Sequence, residues 1–214
     1  MTATIRPAQA TDADFIALTI LLAQRGPTPR GWFDIALGWP EAEVLSFTGK
    51  LAVARQRSWW HTANFIIAEI EGAPAAALCA IPSHGTRTTA GRAIEEVARD
   101  FGMSPSDVAA IYKRGAYSEN CWIQGGDSDW LIEHVASQPA YRGRGLMQAL
   151  IARALAAGEQ AGFKRTSISF LIGNDPAERC YAKAGFSFAE EKRDAAFEAL
   201  TGAPGFRRFQ RAIS

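Results

Sequence analysis

The chain has 214 residues, 48% hydrophobic and 21% charged, a balance that excludes a disordered segment and is enough to bury a substantial core. Twenty-three basic against 22 acidic residues leave a net charge of +1, so no general pull toward nucleic acid or an anionic membrane is encoded. Cys79, Cys121 and Cys180 are odd in number, and they and His61, His84 and His134 are scattered without ligand spacing, so neither a disulfide framework nor a metal site is expected.

Met1-Thr2-Ala3-Thr4 carries no basic stretch ahead of an apolar core, and no apolar run approaches the ~18 residues of a membrane span. A cytoplasmic protein is expected. The first strand is predicted over about residues 3 to 8 and a first helix from Thr11 to about Gln24, broken by Gly26-Pro27-Thr28-Pro29. Pro40 opens a second helix whose apolar Val44, Leu45 and Ala52 alternate with Glu41, Glu43 and Lys50, ending near Ser58. Asn64 to Ile70 and Ala73 to Ile81 flank the turn Glu71-Gly72 and read as an antiparallel pair. Between residues 82 and 128 the spacing predicts a helix from about Ala90 to Phe101, and a second opened by the capping box Ser104-Pro105-Ser106-Asp107. A glycine-rich loop, Gly115 to Asp127, follows. Strands are then expected over Asp129 to Ser137 and Lys164 to Ile172, and two closing strands over Phe186 to Arg193 and Gly205 to Ala212.

Between the strands of residues 129–137 and 164–172 lies Pro139-Ala140-Tyr141-Arg142-Gly143-Arg144-Gly145-Leu146-Met147, a turn that feeds into a helix marked by Leu146, Leu150, Ala154 and Ala157. A helix N-terminus presents unpaired N–H groups and the positive end of the macrodipole, which favours an anion. Gly143 and Gly145 let the backbone come close to one, and Arg142 and Arg144 add charge. Farther on, Asn174-Asp175-Pro176-Ala177-Glu178-Arg179-Cys180-Tyr181-Ala182-Lys183-Ala184-Gly185-Phe186 is a short helix with a cap, a first-turn proline and a terminating glycine.

This pair of segments resembles the GNAT superfamily of acyl-CoA-dependent N-acyltransferases. Arg142 and Gly145 fill the family's glycine motif; Asn174, Ala177, Tyr181 and Gly185-Phe186 fill its second. Thr4-Ile5-Arg6-Pro7-Ala8 and Thr11-Asp12-Ala13-Asp14 are similar to its first strand and first helix start, whereas residues 82–128 have no clear counterpart. Met147 and Ser137 depart from it, standing where Gly or Ala and an apolar residue are usual. The resemblance implies one N-acetyltransferase domain over 1–214, with 82–128 as a helical insertion. It implies an α/β (α+β) fold, a mixed, mostly antiparallel twisted sheet of about six to seven strands flanked by helices, with strands four and five splayed around the cosubstrate acetyl-CoA. Arg142, Gly143, Arg144, Gly145, Leu146 and Met147 would then take the pyrophosphate, while Val135, Ala136, Ser137, Asn174, Ala177 and Tyr181 would line the pantetheine arm and acyl group.

Acyl transfer to an amine needs a base for the ammonium and an acid for the departing thiolate. Period-two alternation in the fourth strand puts Glu133 on one face with Leu131 and Val135, and His134 on the other. A carboxylate inside an otherwise apolar strand is unusual. The resemblance makes Glu133 the base, with His134 competing and a salt-bridged strand carboxylate as the plainer alternative. It likewise makes Tyr181 the acid; a phenol of pKa about 10 suits that role. Cys180 reads as packing. Trp122, Trp130, Tyr112 and Tyr117 are either pocket walls or core. The resemblance implies as acceptor a small amine, a peptide N-terminus or a lysine, without choosing among them, and a homodimer stays open. Two other classes compete. One is a catalytically weak acyl-CoA-binding regulatory module, which loss of Glu133 and Tyr181 would have favoured. The other is a dinucleotide-dependent oxidoreductase, which fails because Gln148 stands where a third glycine belongs.

Overall fold

The computed structural model describes residues 3–84, 86–123, 125–126 and 128–213. Met1 and Thr2, and Gln124 and Asp127 of the glycine-rich loop, lie outside the described residues. The elements in chain order are β1 (Ala3–Pro7), α1 (Ala13–Arg25), α2 (Trp32–Leu37), α3 (Glu41–Leu51), β2 (Phe65–Ile70), β3 (Ala73–Pro82), α4 (Thr86–Asp100), α5 (Pro105–Gly115), β4 (Trp130–Ser137), α6 (Leu146–Gln160), β5 (Arg165–Leu171), α7 (Asp175–Lys183), β6 (Ser187–Arg193), α8 (Ala195–Thr201) and β7 (Gly205–Ala212). The strands form one seven-stranded sheet in the order β1-β2-β3-β4-β5-β7-β6. Every neighbouring pair is antiparallel except β4 and β5. This is the mixed, mostly antiparallel sheet that the motifs imply.

Alternation along the central strands divides the core in two. Ala77, Cys79 and Ile81 of β3 point into a cluster with α1, α2, α3, α4 and α5, while Ala76 and Leu78 join Leu150, Ile151 and Ala154 of α6 on the other face. Strand β1 is tied down by Arg6, whose guanidinium bonds Asp12 at 2.7 Å and Glu69 at 2.7 Å. At the start of β4 the fully buried Asp129 accepts from Arg165 Nε at 2.6 Å and from Ser167 Oγ at 2.5 Å, locking β4 to β5 at the end where they are paired.

The capping box of α5 forms as expected: Ser104 N donates to Asp107 Oδ2 at 2.8 Å and Asp107 N to Ser104 Oγ at 3.2 Å. Helix α3 is shorter than its composition suggests, stopping at Leu51 instead of near Ser58. The cause is tertiary. Glu96 of α4 accepts from the backbone N–H groups of Arg55 at 2.9 Å and Gln56 at 3.0 Å, pulling that stretch out of the helix. Helices α2 and α8 are additions to the sequence reading. The latter is capped by Asp194, which accepts from Phe197 N at 2.8 Å, and ended by Gly202 at φ 84°.

Candidate active site

Strands β4 and β5 pair in parallel over only three positions, Trp130 with Thr166, Leu131 with Ser167 and Ile132 with Ile168. From Glu133 and Ser169 onward they part. The opening is prepared on the other side of β4, where the register with β3 shifts: Cys79 faces Glu133 and Ala77 faces Ala136, so His134 and Val135 share the place opposite Leu78. His134 sits at φ 49°, in the left-handed region that few non-glycine residues adopt, as the extra residue of a bulge. Bulges re-aim side chains.

That bulge corrects the expected alternation. Leu131 and Glu133 do share a face and line one cleft, but Val135 packs instead with the α6 cluster. His134 lies on the same side as Glu133, its ring stacked on Phe65 at 6.2 Å and edge-on to Trp59 at 6.3 Å. Its Nε2 and the indole Nε1 of Trp59 are buried without a hydrogen-bond partner among the described residues.

The two motifs meet at the open end of the sheet. Gln138, just past β4, is held by its N–H to Ala75 O at 2.9 Å and its amide to Pro74 O at 2.9 Å. The turn that follows places Gly143 at φ 75° and Gly145 at φ 76°, conformations that require glycine, and α6 starts at Leu146. A Cβ at either glycine would meet nothing within 4 Å, so open space lies over the turn. Arg142 and Arg144 are exposed, the latter lying over the Tyr141 ring at 5.3 Å. Asn174 caps α7, its side chain accepting from Ala177 N at 3.3 Å. Gln148, which stands in the place of a third glycine, clamps the two helices by donating to Cys180 O at 2.8 Å.

Tyr181 is buried on the α6 side, edge-on to Phe170 at 5.3 Å. Glu133 is half-buried on the other side, and the gap between β4 and β5 lies between the two faces. Burial pushes the Glu133 carboxyl up to about 8 and the His134 imidazole down to about 4. Tyr181 is raised well above an ordinary phenol, chiefly by burial and further by Cys180 and Glu133, so it stays protonated. The arrangement pairs a carboxyl able to change charge near neutrality with a phenol that holds its proton, flanking one opening.

The cleft beside Glu133 has a wall that sequence reasoning left ambiguous or missed. Trp59, Trp122, Ser167, Ser169 and Arg208 line it together with residues of the segment after β3. Of the aromatic candidates, Trp122 is wall. Trp130 is core, donating its indole N–H to Ala154 O at 3.0 Å, and Tyr117 packs on Phe197 at 5.5 Å. Tyr112 is exposed, its hydroxyl reaching Gly91 O at 3.3 Å. Trp59 lies far from β4 in sequence, and only the fold brings it to Glu133; a Trp-Trp pair just past a predicted helix was the one signal available.

In this twisted sheet two parallel neighbours part beside a glycine turn, leaving a gap between strands where the two motifs meet. The model of the acetyltransferase (GNAT) family matches residues 35–186, and the chain belongs to that family. Its chemistry is acyl transfer, and it is a GNAT-type N-acetyltransferase. Among solved structures it is similar to an acetyltransferase at 15% identity and TM-score 0.71, over 99% of this chain and 100% of the other. It is also similar to an N-acetyltransferase of Staphylococcus aureus Mu50, at 19% identity and TM-score 0.68 over 97% and 100% of the two chains. A Drosophila melanogaster polyamine N-acetyltransferase that forms N-acetylagmatine matches at 15% identity and TM-score 0.56, over 99% and 100%. At these identities the likeness concerns the fold. No curated protein matches the chain in sequence.

Proposed function

We propose that the protein moves an acetyl group from acetyl-CoA to a primary amine by direct attack, with Glu133 as base and Tyr181 as acid. The observation that carries the reading is the position of these two side chains, one on each face of the opening where β4 leaves β5. The residues present fit the cosubstrate. Open space over Gly143 and Gly145, the first turn of α6 through Leu146 and Met147, and the exposed Arg142 and Arg144 suit a pyrophosphate. The unpaired β5-side edge of Val135, Ala136 and Ser137 suits an arm rich in amides, with Asn174, Ala177 and Tyr181 on the other bank. When bound, acetyl-CoA supplies the thioester carbonyl. Glu133 takes a proton from the ammonium so that the nitrogen lone pair is free to attack, and Tyr181 gives its hydroxyl proton to the sulfur as the C–S bond breaks. The reading includes a single acetyltransferase domain, with residues 82–128 as an insertion that shapes the acceptor side, working in the cytoplasm.

The cosubstrate is tested by thermal denaturation. Acetyl-CoA at 100 times its dissociation constant is expected to stabilise the fold by about 2.7 kcal/mol. The absence of any shift with acetyl-CoA or a longer acyl-CoA would remove the cosubstrate from the account.

A further inference from the structure

Resting on that reading of Glu133, the acceptor has to reach the carboxyl from the face opposite Tyr181, through the cleft that Trp59 and Trp122 border. The cleft encloses about 20 Å³, room for about one water, and even the shortest alkylamine is larger. A wall must therefore move to admit it. Much of the wall is firmly held. Leu131 and Glu133 are paired with β3, and Ser169 is paired with β7. Ser83 donates its N–H to Asp129 O at 3.0 Å and its hydroxyl to Gly126 O at 2.6 Å. Trp122 follows the fully buried Cys121, and its carbonyl accepts from Lys192 Nζ at 2.9 Å. Arg87, in the first turn of α4, differs. It reaches across to the opposite wall with its side chain, pairing with Glu119 at 2.5 Å and lying over the Trp122 ring at 5.6 Å. Both partners of the ion pair are half-exposed, so the contact is weak and open to screening by salt. A rotation of the Arg87 side chain breaks both contacts and leaves the backbone of α4 where it is.

We propose that Arg87 is the gate of the acceptor path: latched on Trp122 and Glu119, its guanidinium closes the cleft over Glu133, and its release admits the amine. Glu119 is a positioning residue that holds the gate shut. The open form is the one competent to bind, so the latch lowers the apparent affinity for the acceptor by the fraction of molecules that are open.

The test uses the whole protein and a readout that needs no turnover. A water-soluble carbodiimide with methylamine converts an accessible protonated carboxyl to its amide, and mass spectrometry of the digested protein follows Glu133 by itself. Burial holds that carboxyl up to about 8, so at pH 6 it is in the reactive form. Arg87→Ala is expected to speed amidation of Glu133 by about three- to thirtyfold, the size that a cation over a ring and an exposed ion pair supply together, and Glu119→Gln by up to about fivefold. The exposed Glu43 should be labelled at the wild-type rate in both. Raising sodium chloride from about 20 mM to about 0.5 M should speed labelling of Glu133 in wild type and leave Arg87→Ala unchanged. With an amine that the protein acetylates, the KM for the amine should fall in Arg87→Ala by the same factor as labelling rises, while the KM for acetyl-CoA stays as in wild type. An Arg87→Ala protein that melts normally but labels Glu133 no faster, or whose amine KM is unchanged or raised, would overturn the proposal; if that variant does not fold, unchanged labelling in Glu119→Gln does so. Faster labelling with no thiol release from acetyl-CoA by either protein would support the gate and count against the transferase reading, so the two failures are distinguishable.

Discussion

Glu133→Gln is expected to lower amine acetylation by about a hundredfold at pH 8, the lower end of what a positioned base contributes. Burial holds the Glu133 carboxyl up to about 8, and only its ionised form accepts a proton. Wild-type kcat/KM should therefore rise about tenfold per pH unit below that value and level off above it. The Gln variant depends on amine already neutral in solution, a fraction that grows up to an amine pKa of about 10, so its deficit narrows in alkali. Tyr181→Phe should behave otherwise, because alkali does not help to protonate a thiolate, and its deficit should persist across the range. Steady-state kinetics from pH 6 to 10 check both. An unchanged rate and profile in the Gln variant would pass the role to His134 or to water. The two are told apart from Glu133 by shape, since an imidazole pushed down to about 4 is neutral throughout and gives a flat profile.

The second large effect is expected at the turn before α6. Gly145 sits at φ 76° and a Cβ there would meet nothing within 4 Å, so the cost of Val lies in a backbone conformation that a β-branched residue resists. The strain costs about 1–3 kcal/mol on its own and re-aims the first-turn N–H groups. Gly145→Val should melt somewhat lower than wild type and lose the stabilisation by acetyl-CoA entirely. A full ligand shift in a strained but folded variant would place the pyrophosphate elsewhere.

Most of the fold was legible because its signals are local. The turn Glu71-Gly72 between two apolar runs gives the β2–β3 hairpin, Ser104 and Asp107 cap α5, and the glycine turn and Asn174 start α6 and α7 where expected. What escaped depends on partners distant in sequence. Helix α3 ends at Leu51 and Glu96 of α4 holds the amides of Arg55 and Gln56 outside it, which nothing in residues 52 to 58 announces. Glu133 could be singled out as a carboxylate in an apolar strand. Its neighbour could not be placed, because a bulge moves His134 to the same face, and a bulge is a property of the pairing with β3 rather than of β4 alone. The acceptor wall was half visible. Trp122 stood among four aromatic candidates that the sequence could not sort, and Trp59 comes from the segment after α3.

The central claim is that an acyl group passes from acetyl-CoA to an amine nitrogen in this site. It is tested most directly by incubating the protein with acetyl-CoA and a mixture of 2-phenylethylamine, agmatine, spermidine and a short lysine peptide. Released thiol is then counted against N-acetylated product by mass spectrometry. The account predicts that thiol and one N-acetylated amine accumulate in equal amounts, that neither forms without amine, and that both fall away in Glu133→Gln at pH 7. Thiol released without any N-acetylated product, or no release with any of the amines, would contradict it.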